Sequence, residues 1–135
     1  MKYQYHPDGG KPPVDDQWIF VFGSNLAGKH GGGAAREALE TYGAVYGKGL
    51  GRHGKSYALP TKGFQIETLK LSVIEGYVRT VFLPYARANQ DLKFYVTRVG
   101  CVLAGYTNED IAPLFKDAPT NCVFPEPWMA FLEDA

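Results

Sequence analysis

Residues 18–43 read WIFVFGSNLAGKHGGGAAREALETYG. The stretch opens on a continuous apolar run, Trp18 to Phe22, rich in aromatics and too short for a helix. Such a run suits a strand buried on both faces. It closes on helical spacing. Ala35, Ala38, Leu39 and Tyr42 fall at i, i+3, i+4 and i+7, which puts them on one face. Arg36, Glu37 and Glu40 take the other face, and Gly43 supplies a C-terminal stop. Between the two lies a loop with glycine at 23, 28, 31, 32 and 33. Strand, glycine-rich turn, helix is the order that brings backbone close to a ligand at a helix N-terminus.

The same grammar continues downstream. Residues 56–59 form a short strand before Pro60. From Ile66 to about Asn89 the chain has helical character, with an apolar stripe through Leu69, Val73, Ile74, Tyr77 and Val81 and a kink or end at Pro84. Residues 94–99, FYVTRV, are a β-branched and aromatic strand. It runs into the loop GCVLAG, 100–105, and then a helix capped by Thr107 or Asn108, with Glu109 and Asp110 in its first turn. Residues 121–124 make the last strand. Pro7, Gly9, Gly10, Pro12 and Pro13 break any regular element, so residues 1–16 are expected to be a flexible N-terminal arm and residues 17–135 a single domain. The alternation predicts an α/β fold, with helices on both faces of a central mixed, largely parallel sheet.

Composition narrows the function classes. The chain has 135 residues, enough to bury a core without staples. Fourteen basic residues balance fourteen acidic ones. A whole-chain basic footprint for nucleic acid is therefore missing, and affinity for an anion has to come from local geometry. No apolar run reaches the length of a membrane span, and the polar, proline-rich start does not read as a signal peptide. Cys101 and Cys122 are isolated, without CxxC spacing. The expectation is a cytoplasmic protein with reduced thiols, no resident cofactor, no metal and no membrane or nucleic-acid partner.

A second glycine-rich stretch tests the phosphate reading. Residues 49–56, GLGRHGKS, satisfy every fixed position of the P-loop pattern G-x-x-x-x-G-K-[ST]. They fail its context. No buried strand leads in, and Pro60 would break a helix leading out. This stretch is expected to be a loop that at most covers a ligand.

The first loop passes the context test, and so does GCVLAG. Ligands of open α/β sheets sit at the carboxyl ends of strands where loops diverge. If the two strands are neighbours, both loops line one crevice and hold a diphosphate between them. The binding candidates are then Gly23, Ser24, Asn25, Gly28, Gly31, Gly32 and Gly33 from the first loop, and Gly100, Cys101, Val102, Leu103, Ala104 and Gly105 from the second. His30 and His53 are candidate general bases.

NLAGKHGGGAAREALETYG after a strand resembles the macro-domain signature: an asparagine, a short spacer, a triple glycine and an alanine-rich helix ending in glycine. GCVLAGYTNEDIAPLF resembles that family's second loop and its following helix, and SYALPTK resembles the strand between them. The resemblance spans roughly residues 18–125 and implies a three-layer α/β/α domain that binds a small molecule of ADP-ribose type. It places Asn25 near the distal ribose and sets Gly31–Gly33 and Gly100–Gly105 against the diphosphate; Asn25 and, from its own place in the glycine-rich loop, His30 are the catalytic candidates. Two departures bear on activity. The family's early aspartate near the adenine has no evident counterpart before Trp18. Hydrolytic members carry an aspartate just after the triple glycine, where this chain has Ala34 and Ala35. Binding is thus better supported than hydrolysis of an ADP-ribosyl linkage. The alternatives are a nucleoside or nucleotide glycosyl-bond hydrolase and a non-catalytic protein that sequesters a metabolite or binds a partner.

Overall fold

The structure is a computed structural model that describes residues 1–133; the last two residues of the expected domain lie outside the described residues. Six strands form one mixed sheet: β1 (Gln4–His6), β2 (Trp18–Asn25), β3 (Gly51–His53), β4 (Ser56–Lys62), β5 (Lys93–Val96) and β6 (Cys122–Pro125). Their spatial order is β1-β6-β5-β2-β4-β3. Every neighbouring pair is parallel except β3 with β4, which is antiparallel.

Period-two alternation explains why the central strands read as unbroken apolar runs. Ile19 and Val21 of β2, Tyr57 and Leu59 of β4, and Phe94 and Val96 of β5 point into one core. Phe20, Phe22, Ala58 and Tyr95 point into a second core on the opposite face. Each face is covered by helix, so neither set of side chains meets water. Helix α1 (Gly33–Thr41) lies on the second core through Ala35 and Ala38. The larger core packs under α2 (Leu71–Tyr77), α3 (Leu83–Ala88), α4 (Asn108–Ile111) and α5 (Met129–Leu132).

The helical stretch expected from Ile66 begins instead at Leu71. Ile66 sits at φ 64° in a turn closed by its own N–H to the Gly63 carbonyl. Between α2 and α3 the helix widens into a π turn over Val78–Phe82. Pro84 follows directly and has no N–H to give to the carbonyl four residues back, which is where a regular ladder fails. β4 also runs through Pro60 rather than stopping before it. Pairing with β3 ends at Ala58, so the proline lies beyond the last rung of that ladder.

The N-terminal segment is the main correction. Residues 1–16 are not a loose arm throughout. β1 joins the sheet edge beside β6, and Tyr3 is buried against Phe124. The proline and glycine residues begin only after this strand, so they turn the chain across the carboxyl edge of the sheet. The boundary expected at residue 16 does not separate two bodies. Among the described residues no helix is long and apolar enough to cross a membrane.

Candidate functional site

β2 and β5 are neighbours, with Phe20 opposite Tyr95. The chain leaves β2 toward β4 on one side and leaves β5 toward β6 on the other. Their following loops therefore diverge, which makes the gap beyond these two strands a switch point where crevices form in α/β sheets. A cleft of about 290 Å³ opens there. A larger groove of about 880 Å³ lies between residues 1–13 and β6, but it is wide open and lacks the two glycine loops. The smaller cleft holds the convergent backbone and polar groups expected of a small-molecule site.

Backbone builds one end of the cleft. Gly32 and Gly33 enter it where α1 begins, and Gly100, Val102, Leu103 and Ala104 face them. The helix cap at Gly32 has no side-chain hydrogen bond, and no acidic residue stands in the first turn. The first-turn N–H groups of α1 consequently have neither a cap nor a carboxylate competing for them. Gly33, at φ 58°, turns the chain into the helix, and a Cβ there would stand 3.6 Å from the Leu103 side chain. Gly23 closes the floor. A Cβ there would stand 3.4 Å from the Gly100 nitrogen, so the end of β2 lies against the backbone of the second loop.

Side chains without a motif of their own build the other end. His6 stacks on Tyr95, with ring centroids 3.7 Å apart and planes 16° apart, and donates from Nε2 to the Val96 carbonyl at 2.7 Å. Phe20 lies beside Tyr95 on the same face. Asp8 reaches the cleft from the turn after β1 and pairs with Arg98 at 3.2 Å. Arg98 is steadied from behind, where its Nε donates to Asn108 at 3.0 Å. Thr97 donates its hydroxyl to the Val21 carbonyl at 2.8 Å, and Thr61 donates to the Ser24 carbonyl at 3.3 Å. Burial pushes the Tyr95 phenol up to about 12, with Tyr42, Glu37 and Asp8 adding to the rise, so it stays a neutral donor at ordinary pH.

Glu37 differs from these. It lines the cleft from α1, and its Oε2 is buried without a hydrogen-bond partner. This corrects its expected place on the solvent face with Arg36 and Glu40. Glu37 follows Gly33 and Ala34 by one turn, so it shares their side of the helix, and that spacing is the signal that locates it. Asp8 sits in a segment whose prolines and glycines speak only of broken elements.

Of the expected binding residues, Gly23, Gly32, Gly33, Gly100, Val102, Leu103 and Ala104 line the cleft. Ser24, Asn25, Gly28, His30, Gly31, Cys101 and Gly105 do not. Most of these have other tasks. Ser24 donates its hydroxyl to the Gly49 carbonyl. Asn25 closes its own loop, donating to the Lys29 carbonyl at 2.8 Å and accepting from the Lys29 N–H at 2.9 Å. His30 is 1% exposed and lies 3.1 Å from the Val45 and Lys48 carbonyl oxygens. It ties the second glycine stretch to the first, so neither Asn25 nor His30 faces the cleft. Burial pushes the Cys101 thiol up to about 11, and its Sγ donates to the Val99 carbonyl at 3.5 Å. Gly31 and Gly105 remain at the loop ends with open space around them.

The P-loop match is a hairpin. Gly51–His53 pairs antiparallel with Ser56–Ala58 around Gly54 and Lys55, and Lys55 pairs with Asp16 at 3.0 Å. A strand follows where a P-loop needs a helix, so the lysine has no phosphate cradle to serve. Among the described residues no three His, Cys, Asp or Glu side chains come together as metal ligands. Set against known proteins, the chain matches no family model, no curated protein and no solved structure.

Proposed function

We propose that the cleft binds a nucleotide of ADP-ribose type in a macro-like domain, with the diphosphate lying between the start of α1 and the 100–105 loop. The observation that carries this reading is the uncapped, carboxylate-free first turn of α1 facing a second glycine-edged loop. Helix N–H groups and the helix dipole favour an anion there, and the glycines let it approach the backbone. A neutral chain gains anion affinity this way without a basic patch. The aromatic end, with Phe20, Tyr95 and His6, supplies apolar surface for the rest of the nucleotide.

Binding without turnover fits the residues better than hydrolysis. Ala34 and Ala35 follow the triple glycine, and the Asn25 side chain is held by Lys29 backbone. One observation favours a glycosyl-bond hydrolase as the second reading: Asp8 and Glu37 both line the cleft. Asp8 is committed to Arg98, however, which leaves a single free carboxylate where such chemistry uses two.

Thermal unfolding with added ligand tests the proposal. ADP-ribose at about 100 times its Kd stabilises the fold by about 2.7 kcal/mol, a melting shift on the order of 5 °C or more. Adenine alone gives no such shift. Mass spectrometry after incubation with ADP-ribose, NAD and ADP-ribosylated peptide then separates the readings: unchanged ligands support a binder, and released nicotinamide or free peptide supports a hydrolase. No shift with millimolar ADP-ribose contradicts the proposal.

A further inference from the structure

We infer that Glu133 is a positioning residue for the cleft: it holds β1 in the sheet, and the chain leaving β1 forms one wall of the site, so ligand affinity follows the docking of this strand. This rests on the nucleotide reading of the cleft and adds to it a control point outside the site.

The wall comes from the start of the chain. His6, Asp8, Gly9 and Gly10 line the cleft. His6 and Gly10, with Tyr95, also line the open groove on the far side. This short stretch is therefore the partition between a small cleft and a wide groove, and removing it joins the two. Gly10 fits the partition closely. Its N–H donates to the Pro7 carbonyl at 3.0 Å, and a Cβ there would stand 2.8 Å from the Tyr95 hydroxyl.

The strand that leads into this wall has a short ladder. β1 lies at the sheet edge and makes three rungs with β6. The last sets His6 opposite Pro125, which has no N–H to give. Side chains supply the rest of the hold. The Tyr3 hydroxyl donates to the Ala118 carbonyl at 3.0 Å. Glu133 gathers three donors, the N–H groups of Lys2 and Tyr3 and the Tyr5 hydroxyl, and it does not itself line the cleft. Hydrogen bonds to a charged acceptor are roughly twice as strong as neutral ones.

Glu133 is fixed in turn by α5. Its N–H donates to the Met129 carbonyl at 3.1 Å, at the end of that helix. At the helix start Trp128 is fully buried, and its indole N–H donates to the Asn108 side-chain oxygen at 3.0 Å. The same oxygen accepts from Arg98, whose guanidinium pairs with Asp8. Residues 2–8 are thus held at both ends by groups that lead back to residues 128–133. Losing Glu133 removes the hold at the start and lets β1 leave the sheet part of the time. A ligand that needs the walled cleft has its affinity reduced by the fraction of time the strand is docked. By reciprocity, the ligand favours docking by the same factor.

Calorimetric titration of ADP-ribose into wild type, Glu133→Ala and Glu133→Gln, below their melting transitions, tests this alongside amide exchange over residues 2–6. Glu133→Ala removes all three bonds, and affinity should fall about tenfold, as for a strand docked about a tenth of the time. Glu133→Gln keeps an acceptor oxygen and should stay within about threefold of wild type. Exchange over residues 2–6 should quicken in the same order and slow when ADP-ribose is added. His30→Ala, destabilised through a different contact, should keep wild-type affinity. Undiminished affinity in a folded Glu133→Ala overturns the role of Glu133 and leaves the nucleotide reading intact. So does an equal loss in His30→Ala, which would make the effect one of general stability. So does wild-type exchange over residues 2–6 that ignores bound ADP-ribose, a result that decides the matter even if Glu133→Ala folds too poorly to titrate. Failure of wild type to bind ADP-ribose overturns the nucleotide reading and this inference together.

Discussion

A side chain on Gly49 would collide with the backbone carbonyl of Asn25. The two glycine-rich stretches thus lie backbone against backbone, and much of the glycine that resembles phosphate-loop chemistry serves this contact. Gly28 makes a second such contact, since a Cβ there would run into the backbone of Gly47 and Lys48, and the Gly47 N–H donates to the Gly28 carbonyl at 2.9 Å.

Gly28→Ala is therefore expected to cost about 3 kcal/mol, combining overpacking against rigid backbone with a residue held at φ 71°. Gly47→Ala has open space around its Cβ and should cost only about 1 kcal/mol. Urea unfolding of both variants checks the difference. Equal losses would mean that the loops do not depend on close approach.

His30 is expected to matter for stability and not for chemistry. His30→Ala leaves the Val45 and Lys48 carbonyls without their shared partner and opens a void beside Phe22, whose ring centroid lies 5.3 Å away. The expected loss is about 2–3 kcal/mol, with ligand affinity of the folded fraction unchanged. Unfolding curves measure the first and calorimetry below the transition the second. A stable variant that no longer binds would return His30 to the site.

Acid should loosen the closure of the N-terminal strand. Glu133 accepts from the backbone N–H groups of Lys2, at 2.7 Å, and Tyr3, at 3.1 Å, and from the Tyr5 hydroxyl at 2.6 Å. The Tyr5 bond first, and the backbone bonds after it, hold its carboxyl below the ordinary carboxylate value. With the folded value depressed, the unfolded state binds the proton more readily. The stabilisation is present above the ordinary value of 4.5 and is lost as pH falls through the folded one. Melting temperature should therefore drop below about pH 4.5, and Glu133→Gln should flatten that part of the profile. An unchanged acid limb in the variant would show that Glu133 plays no part in it.

Much of this arrangement is legible in residue order, and the rest is hidden for physical reasons. The apolar run of β2 and the i, i+3, i+4 spacing of α1 locate both elements, because burial on two faces and on one helical stripe leave different periods. The cleft glycines follow from strand-to-helix context. Asp8, Arg98 and Tyr95 do not, because parallel strands bring together residues far apart in the chain, and pairing between β1 and β6 spans nearly its whole length. The structural use of Ser24, Asn25 and His30 is equally hidden. A polar residue in a glycine loop reads the same whether it meets a ligand or a neighbouring carbonyl.

Titration of ADP-ribose into wild type and Gly32→Glu bears most directly on the diphosphate cradle. Gly32 has φ −158°, an extended conformation open to any residue, and empty space around its Cβ position, so the variant should fold and melt as wild type does. Its added carboxylate stands at the mouth of α1, blocking the first-turn N–H groups and repelling an anion. Gly51→Glu makes the same change on β3, outside the cleft. Gly51 sits at φ 93°, so this variant is strained, and it is titrated well below its melting transition. Wild type should bind, Gly32→Glu should show no measurable binding, and Gly51→Glu should stay within about tenfold, roughly 1.4 kcal/mol. Undiminished binding by a folded Gly32→Glu would contradict the cradle.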